Sequence, residues 1–330
     1  MVSGTILITG ATGGLGRVLT ATALQNGRAV IATGRDLRIG NALENLGAKF
    51  IPADLANDRL AALVHGAETV FHLAALSRPW GPRHAFTAAN ETATRRLLDA
   101  SLNAGCERFI YASTPSIYTQ PKDQLGITEA TKIPVKVVNH YAETKLAAER
   151  MVLAASTKNF ATLALRPRAI ICPHDTVLLP RLLKAANRGL LPLPRNGAAL
   201  IEPTDARDVS EAFLAAEAVA SNISGRAINI SGGHPVTIGQ LASHVFLRLG
   251  KRVRMVSIPR RLASLAAGGI ELGAKLLPGK PEPFITRHSA MALGWSQTFN
   301  LSVARTDLLW EPRHHPFDAV DWALREVEYA

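Results

Sequence analysis

A glycine-rich turn near the first residue constrains the fold of this chain more than any other feature. Residues 5–8 are a short apolar run, the turn follows, and a helical pattern then extends through residues 15–24. A strand, a glycine-rich turn and a helix in this order place free N–H groups where they can bind a pyrophosphate. In such a turn one glycine permits the tight bend, one lets the ligand approach, and one allows the helix to pack on the strand. These glycines are Gly10, Gly13 and Gly16.

Apolar runs and helical stretches alternate through the first half of the chain. The expected strands after the first lie at residues 28–33, 49–51, 69–73, 108–112 and 160–165. This alternation predicts an α/β fold: a Rossmann-type, doubly wound parallel sheet with a smaller C-terminal α/β substrate-binding region. Residues 1–166 are assigned to the dinucleotide-binding domain, and residues 204–231 are expected to return to it. Residues 167–203 and 232–330 are assigned to the substrate-binding region.

Composition restricts the class of protein. The chain has 330 residues, of which 47% are hydrophobic and 19% charged, and such values are typical of globular domains. Cys106 and Cys172 form neither a disulfide framework nor a metal-ligand pattern, so we expect a reducing compartment and no metal. With a strand at the N-terminus, no signal peptide and no run as long as a membrane span, the expected location is cytoplasmic.

The chain is basic, with a formal net charge of +11. A basic protein attracts nucleic acid, an anionic membrane surface or acidic small molecules, or it has a solvated surface without a specific partner. The sequence has no nucleic-acid-binding motif, so nucleic acid is not expected as a partner.

Side chains after the second and third strands bear on the choice of dinucleotide. An acidic residue at the end of the second strand binds the ribose hydroxyls of NAD, whereas an arginine accommodates the 2′-phosphate of NADP. Arg35 therefore favours NADP(H), and NAD(H) is the alternative, in which Asp36 contacts the ribose. Asp54 is either an acceptor for the adenine amino group or the N-cap of the next helix.

A tyrosine and a lysine in the middle of the chain suggest the chemistry. Tyr141 and Lys145 are four residues apart in a helical sequence and so share one helix face. A free tyrosine, with a pKa of about 10, is a poor acid or base at neutral pH. A lysine one turn away, with the positive ring of an oxidised nicotinamide, is expected to favour the phenolate. Alone, this spacing more often reflects packing and solvation, but here it follows a dinucleotide turn and the hydroxyl of Thr114.

These segments together carry a resemblance. The chain resembles an extended short-chain dehydrogenase/reductase of the NAD-dependent epimerase/dehydratase superfamily. The matching segments follow the family's order and are residues 9–16, 54–55, 72–75, 113–118, 141 with 145, 165–167 and 205–209. The resemblance implies that Thr114 is the catalytic hydroxyl, where many members carry serine, with Ser113 and Ser116 as alternatives. It also implies that Tyr141 is the acid/base and that Lys145 contacts the nicotinamide ribose.

The strand-end residues and the resemblance together define three sets of expected site residues. The catalytic set is Thr114, Tyr141 and Lys145. The substrate-binding set is Ser77, Trp80 and Ser116. The cofactor-binding set is Gly10, Thr12, Gly13, Gly14, Leu15, Gly16, Arg35, Asp54, Leu55, Leu73, Ala74, Ala75, Tyr141, Lys145 and Pro167.

The second half of the chain narrows the resemblance. It is similar to the branch that contains 3β-hydroxysteroid dehydrogenases and bacterial 2-alkyl-3-oxoalkanoate reductases, through residues 166–171, 175–183, 282–287 and 304–312. Cys172 and Leu309 stand where glycine is common. The resemblance implies an NAD(P)-dependent oxidoreductase that transfers a hydride between nicotinamide and a secondary alcohol or ketone. The expected substrate is bulky and apolar, either steroid-like or 3-oxoacid-like.

Two other functions are weighed against this one. A nucleotide-sugar epimerase or dehydratase with tightly bound NAD would use the same catalytic residues, and Arg181, Arg188 or Arg195 would hold its diphosphate. Arg35 argues against that function because it favours NADP. A non-catalytic nucleotide sensor has no need of the complete catalytic set.

One apolar stretch, residues 262–277, allows two interpretations. It forms a lid or a peripheral membrane contact, with Arg260, Arg261 and Lys275 facing anionic lipid or a substrate carboxylate, or it forms a helix packed on the domain. The family resemblance also implies a homodimer that pairs through residues 86–104 and 141–155.

Overall fold

The computed structural model describes residues 4–175, 178–277, 279, 281–283 and 285–328. Residues 176, 177 and 284, which belong to segments that carry the resemblance, lie outside the described residues, as does the side chain of Lys275. The strands in the described ranges are β1 Thr5–Thr9, β2 Ala29–Thr33, β3 Lys49–Phe50, β4 Thr69–His72, β5 Arg108–Ala112, β6 Gln124–Ile127, β7 Ala161–Pro167, β8 Ile170–Ile171, β9 Leu190–Pro194, β10 Leu200–Ile201, β11 Thr204–Asp205, β12 Arg226–Ile230, β13 Val236–Thr237, β14 Arg254–Ile258 and β15 Gln297–Phe299.

Helices connect and cover these strands. They are α1 Gly14–Gln25, α2 Leu37–Asn45, α3 Ala61–Val64, α4 Arg83–Phe86, α5 Ala93–Asn103, α6 His140–Ala154, α7 Leu179–Arg188, α8 Ala206–Val219, α9 Ile238–Arg248, α10 Arg260–Leu276, α11 Arg287–Gly294, α12 Ser302–Asp307 and α13 Pro316–Glu328. A π-helical segment spans Thr87–Thr92, and two short 3-10 segments span Pro115–Tyr118 and Arg195–Gly197.

The main sheet has seven parallel strands in the order β3-β2-β1-β4-β5-β7-β12. This order confirms the predicted doubly wound α/β fold. The direction in which strands are added reverses between β1 and β4, and ligands of such sheets bind at the carboxyl ends of the strands beside that reversal. The glycine-rich turn follows β1 and therefore lies at this position.

Apolar side chains cover both faces of the sheet, because successive residues of a strand point to opposite sides. Ile6 and Ile8 of β1 belong to one core cluster, together with Leu19 of α1. Leu7, between them, belongs to the cluster on the other face, together with Leu97 of α5. The continuous apolar sequence of β1 is thus required by a strand that is buried on both sides.

The later part of the chain contributes one strand to the main sheet and also forms a separate apolar cluster. Strand β12 pairs with β7 in parallel, and α8 packs on α1. A salt bridge between Arg28 and Glu217 joins the residue just before β2 to helix α8. The two side chains are 10% and 1% exposed. A third apolar cluster lies within the remaining C-terminal elements and includes Leu182 of α7, Leu241 of α9 and Val320 of α13.

The sequence of residues 86–104, with its helical spacing of apolar residues, predicts a single helix, and the structure differs from it in one respect. Its first half is a π-helix of residues 87–92, which follows α4 and precedes α5. A π-helical segment inserts an extra residue per turn and is frequent at functional sites. The insertion lies around Asn90, whose side chain is 1% exposed.

The apolar stretch at residues 262–277 lies in the helix α10. One face, with Ala263, Ala267 and Ala274, is buried, and α10 packs on α11. The other face carries exposed leucines, including Leu262, Leu265, Leu272 and Leu276. Among the helices that the structure describes, none combines the length and apolar character that a transmembrane span needs.

Candidate active site

The glycine-rich turn has a geometry that only glycine satisfies. Gly10 has a φ of +67°, and a Cβ atom on it would lie 2.8 Å from the backbone nitrogen of Ala74 at the end of β4. A Cβ on Gly16 would lie 2.2 Å from the carbonyl oxygen of Gly10. Helix α1 begins after Gly13, which provides no side-chain cap. The first N–H groups of α1 thus lack a side-chain acceptor, which fits the pyrophosphate of a dinucleotide.

Three other residues of the expected cofactor set have structural roles that the sequence did not reveal. A Cβ on Gly14 would lie 2.5 Å from Cys172 Sγ, so this glycine is needed for packing against the later half of the chain. The side chain of Thr12 lies against Gly34, where a Cβ would be 2.4 Å from Thr12 Oγ1. Leu55 is buried in the core and 7% exposed.

Remaining members of that set lie at the ends of strands or just beyond them. Leu73 and Ala74 follow β4 and are half-buried, and Ala75, the next residue, is exposed. Leu15 is half-buried in the first turn of α1, and Pro167 ends β7 beside Ile230 of β12. These positions lie at the same edge of the sheet as the glycine-rich turn.

The side chains after β2 and β3 have distinct surroundings. Asp36 caps α2, and its Oδ1 accepts a hydrogen bond of 3.1 Å from the backbone N–H of Ile39. Arg35 is exposed. Asp54 does not cap a helix, because α3 begins only at Ala61 with Leu60 as its N-cap. Instead the Asp54 carboxylate accepts hydrogen bonds from Ala56 N and Asn57 Nδ2, at 3.0 and 2.9 Å.

Those contacts lower the pKa of Asp54. The hydrogen bond from Ala56 N is the largest cause, the one from Asn57 follows, and the positive charge of Arg35 adds to them. Asp54 and Arg35 therefore lie close enough to interact, although they follow different strands. This places a carboxylate and an arginine together beside the turn.

The structure brings the three expected catalytic residues together. Helix α6 carries Tyr141 and Lys145 and begins at the cap Asn139, whose side chain accepts a hydrogen bond of 2.9 Å from Ala142 N. Thr114 follows β5 and is 5% exposed. The Thr114 hydroxyl lies near enough to the Tyr141 phenol to act on its pKa, and it accepts a hydrogen bond of 3.2 Å from Ser116 N.

The two alternatives to Thr114 have other surroundings. Ser113 Oγ is buried and has no hydrogen-bond partner among the described residues. Ser116 is 8% exposed and contributes its backbone N–H to Thr114. Thr114 is therefore the hydroxyl of this run that lies beside the tyrosine. Of the two other expected substrate contacts, Ser77 is exposed and Trp80 is half-buried in the loop after β4.

Burial determines the protonation of the tyrosine and the lysine. Burial raises the pKa of Tyr141, and the neighbouring Thr114 hydroxyl opposes this rise. The prediction that Lys145, together with the positive ring of an oxidised nicotinamide, favours the phenolate concerns the protein with its coenzyme bound and stays a prediction. In the structure, however, the Lys145 ammonium donates to the carbonyl oxygen of Ala112 and lies 4.0 Å from the centre of the Tyr111 ring.

Lys145 is itself strongly perturbed. Only 2% of the residue is exposed. Burial lowers its pKa to about 7, against the opposing charge of Glu149 one helical turn further on. A lysine in this state is close to its titration midpoint at neutral pH.

Sequence reasoning gave no role to Asn90, which connects two sides of the site. Asn90 Oδ1 accepts a hydrogen bond of 2.7 Å from Leu76 N, and its Nδ2 donates to Thr144 Oγ1 at 3.0 Å. Leu76 belongs to the loop that carries Ser77 and Trp80, and Thr144 precedes Lys145. The π-helix thus fixes the loop after β4 to α6, the helix that carries Tyr141 and Lys145.

A second polar group lies beneath the glycine-rich turn. His72 is fully buried, and hydrogen bonds of 2.7 and 2.8 Å join its ring nitrogens to Thr9 Oγ1 and Thr94 Oγ1. Burial, with a smaller contribution from Lys145, lowers the pKa of His72 to about 3. The neutral ring therefore links β1, β4 and α5 without adding charge to the site.

An ion pair supports the catalytic helix from the neighbouring strand. Arg166 of β7 binds Glu149 of α6 with both arms, with a distance of 2.8 Å between Arg166 Nε and Glu149 Oε2. Arg166 also donates to the hydroxyl of Tyr118. The two charged side chains are 6% and 3% exposed, and removal of one partner of such a buried pair is strongly destabilising.

The sequence of this chain is similar to those of known proteins over most of its length. Residues 6–231 match the model of the NAD dependent epimerase/dehydratase family. The chain is 33% identical over 316 residues to the Escherichia coli (strain K12) protein named "Uncharacterized protein YbjS", with 93% of each chain covered. It is 33% identical to a 2-alkyl-3-oxoalkanoate reductase of Stenotrophomonas maltophilia, over 93% of this chain and 94% of that one.

One solved structure shows the extent of the fold similarity. MoeE5 in complex with UDP-glucose and NAD superposes with a TM-score of 0.77 and covers 99% of both chains at 24% sequence identity. At this identity the similarity concerns the fold.

Proposed function

Because this chain belongs to the NAD-dependent epimerase/dehydratase family, we propose that it is an NAD(P)-dependent oxidoreductase of secondary alcohols and ketones. The proposed substrate is bulky and apolar, either steroid-like or 3-oxoacid-like. The observation that carries this proposal is the placement of the Tyr141 phenol beside the Thr114 hydroxyl, with Lys145 on the same helix. The 2-alkyl-3-oxoalkanoate reductase similarity supports the class of reaction and substrate.

Thr114, Tyr141 and Lys145 have separate roles in the proposed reaction. When bound, the nicotinamide dinucleotide accepts a hydride from an alcohol carbon or gives one to a carbonyl carbon. Thr114 holds the substrate oxygen by a hydrogen bond. Tyr141 takes the hydroxyl proton during oxidation and returns a proton to the oxygen during reduction. Lys145 is fixed by Ala112 and Tyr111, and it is positioned to hold the nicotinamide ribose.

The proposed function also assigns a role to each of the two regions of the chain. Residues 1–166, with residues 204–231, bind the dinucleotide, and residues 167–203 and 232–330 bind the substrate. Ser77, Trp80 and Ser116 are proposed to contact that substrate.

We further propose that NADP(H) is preferred over NAD(H). Asp36 is engaged as the cap of α2, so its carboxylate is already occupied by a backbone N–H. Arg35 is exposed beside Asp54, where its guanidinium can bind a 2′-phosphate. The change Arg35→Ser is expected to lower kcat/KM about tenfold or more with NADP⁺, since a charge-assisted hydrogen bond is lost, and to affect NAD⁺ little.

Absorbance of the reduced nicotinamide tests the main proposal. NAD⁺ and NADP⁺ are each offered with steroid, alicyclic and 3-hydroxy-acid alcohols, and Tyr141→Phe serves as the inactive variant. The expected result is coenzyme reduction that falls by about 100-fold or more in the variant, the range for loss of a general acid/base. No net turnover, together with NAD that co-purifies, would overturn the proposal in favour of a nucleotide-sugar epimerase or dehydratase.

The exposed face of α10 is proposed to contact an anionic membrane surface. Its leucines form an apolar stripe on an amphipathic helix, and Arg261 at its start is exposed. The chain's net charge of +11 attracts anionic lipid and disfavours a second copy at this face. A homodimer through residues 86–104 and 141–155 stays a prediction.

A further inference from the structure

Two segments that are far apart in sequence meet at the loop that follows β3. Arg96 of α5 donates a hydrogen bond of 2.7 Å from Nη1 to the carbonyl oxygen of Leu55, and one of 2.6 Å from Nη2 to that of Asp58. Both arms of one guanidinium therefore bind the same loop. Because the guanidinium is planar and its donors form a fixed fork, these two bonds determine the orientation of the loop as well as its position.

Hydrogen bonds within the loop close it into a compact turn. The carbonyl oxygen of Asp54 accepts from the backbone N–H groups of Asn57 and Asp58, at 3.0 and 2.8 Å. The carboxylate of Asp58 accepts from the backbone N–H of Asp54 at 2.7 Å. The carboxylate of Asp54 accepts from Ala56 N and Asn57 Nδ2. These bonds give the turn its shape, whereas its position on the domain depends on contacts with other elements.

Contacts with other elements attach the turn at both of its ends. At its start, Ala53 N donates a hydrogen bond of 3.3 Å to the carbonyl oxygen of Gly34, just after β2. The side chain of Leu55 is buried in the core. At its end, the turn is attached by the bond from Arg96 to Asp58. Loss of Arg96 is therefore expected to free the end of the turn and to leave its start in place.

Arg96 is itself carried by a well-packed helix. Leu97 and Leu98, the next two residues, are 0% and 3% exposed. Thr94 Oγ1 is joined to the buried ring of His72 by a hydrogen bond of 2.8 Å. A loop that is held from such a support is ordered before a ligand arrives, which reduces the entropy that binding would otherwise cost.

The turn presents a carboxylate at the edge of the sheet where the glycine-rich turn lies. The hydrogen bond from Ala56 N is the main cause of the lowered pKa of Asp54, so this group is charged at neutral pH. A carboxylate oxygen has two lone pairs, and each oxygen of Asp54 accepts one hydrogen bond within the turn. The carboxylate can therefore accept a further donor from a ligand, and the amino group of adenine is such a donor.

We propose that Arg96 is a positioning residue for the adenine of the coenzyme: its two bonds hold the turn so that the Asp54 carboxylate accepts a hydrogen bond from the adenine amino group. This inference rests on the proposed function, in which the chain binds a nicotinamide dinucleotide. Arg96 acts through the turn and does not touch the coenzyme. Its effect is on selectivity for the base and not on attraction of the phosphates.

Two nucleotides that differ in the base test the inference. ADP and inosine 5′-diphosphate carry the same phosphates, but inosine has an oxygen where adenine has the amino group. We expect calorimetric titration to show that the unmodified protein binds ADP about tenfold or more tightly, because Asp54 receives no hydrogen bond from that position of inosine. Equal dissociation constants for the two nucleotides, or no binding of ADP, would overturn the inference.

Variants assign this selectivity to Arg96. Arg96→Met is expected to weaken ADP binding by about tenfold and to change inosine diphosphate binding by no more than about twofold, so that the ratio of the two dissociation constants approaches one. Arg95→Met is the matched control, because Arg95 is the neighbouring residue of the same helix and is exposed. We expect it to preserve the ratio. An unchanged ratio in Arg96→Met, or an equal loss in Arg95→Met, would contradict the role of Arg96.

Arg96→Lys separates the fork from the charge. Lysine keeps the positive charge, but its single ammonium does not reproduce the two arms that bind Leu55 and Asp58. The ratio is therefore expected to fall in this variant as well. A ratio equal to that of the unmodified protein would show that charge alone is sufficient, and this would overturn the inference. If Arg96→Met does not fold, Arg96→Lys provides the comparison.

Nucleotide binding needs no turnover, so this test and the test of the proposed function have separate outcomes. An Arg96-dependent ratio in a protein that oxidises no alcohol would keep the role of Arg96 and overturn the oxidoreductase proposal. Alcohol oxidation together with a ratio that does not depend on Arg96 would keep the oxidoreductase proposal and overturn the role of Arg96.

Discussion

At the scale of single residues, Lys145 is the side chain whose burial has the largest consequence. It is 2% exposed and donates to one backbone carbonyl, that of Ala112. A charged amine in such a place loses its hydration, and burial brings its pKa to about 7. The unfolded chain holds the same proton to about pH 10.4. The native state therefore releases this proton at a much lower pH than the unfolded state does.

This difference predicts a pH dependence of stability. Between about pH 7 and pH 10 the unfolded chain binds more protons at Lys145 than the native chain, so the free energy of unfolding rises with pH across that window. Lys145→Met removes this contribution. We expect the unmodified protein to gain stability relative to the variant as the pH rises from 7 to 10, measured by urea unfolding at several pH values.

Comparison with the variant removes the titration of groups that both proteins share. A difference in unfolding free energy that stays constant from pH 7 to pH 10 would contradict the lowered pKa. A difference that shrinks as the pH rises would show that the native state holds the proton more tightly than the unfolded chain.

At the scale of elements, the π-helix joins parts of the site that lie far apart in sequence. Asn90 bonds to Leu76, 14 residues away, and to Thr144, 54 residues away. Asn90→Ala leaves the N–H of Leu76 without its acceptor. We expect a loss of about 1–3 kcal/mol in the free energy of unfolding, measured by urea titration. We also expect a fall in kcat, because the loop after β4 is released from α6.

Asn103→Ala provides the matched control. Asn103 is exposed at the end of α5 and lies, like Asn90, in the connection between β4 and β5. Little change in stability or kcat is expected for it. If both variants lose stability equally, the Asn90 contacts do not explain the effect, because Asn→Ala by itself raises helix propensity.

The exposed face of α10 makes a separate prediction. Leu265 of α10 and Leu247 of α9 are each 76% exposed, so they differ in location and not in accessibility. Leu265→Glu is expected to abolish co-sedimentation with phosphatidylglycerol vesicles, whereas Leu247→Glu leaves it intact. Equal binding by both variants would contradict a membrane contact at α10. Binding to neutral phosphatidylcholine vesicles would show that charge has no part in it.

Elements that depend on neighbours in sequence were predictable, and contacts between distant segments were not. The turn after β1 was predictable because each of its glycines is required by a local steric constraint. The common face of Tyr141 and Lys145 was predictable because helical spacing determines it. The π-helix was missed because an inserted residue leaves no mark on the apolar pattern of residues 86–104. The effect of burial on the Tyr141 pKa was not predictable, because burial and the bond of Lys145 to Ala112 depend on tertiary packing.

At the scale of the whole molecule, Cys172 holds the two halves of the chain together at the turn. Its sulfur occupies the space above Gly14, and burial raises the pKa of the thiol to about 12. A thiol in this state reacts slowly with alkylating reagents, because the thiolate is the nucleophile. Reaction at this residue therefore requires that residues after β8 move away from α1.

Maleimide labelling measures that movement. In a Cys106→Ser background the expected labelling of Cys172 is much slower than that of the urea-unfolded chain, and NADP⁺ slows it further by stabilising the closed arrangement. Labelling of the native protein as fast as that of the unfolded chain would contradict the packing of Cys172 on Gly14. An unchanged rate with NADP⁺ would show that the coenzyme does not stabilise this contact.

The late position of β12 has a consequence for synthesis of the chain on the ribosome. Until residue 230 has emerged, β7 is an unpaired edge, and until α8 has emerged, α1 lacks the helix that packs on it. A nascent chain of intermediate length therefore presents a bare strand and an apolar helix face, both of which favour aggregation. We expect translation between residues 167 and 230 to be the interval in which this protein most needs a chaperone.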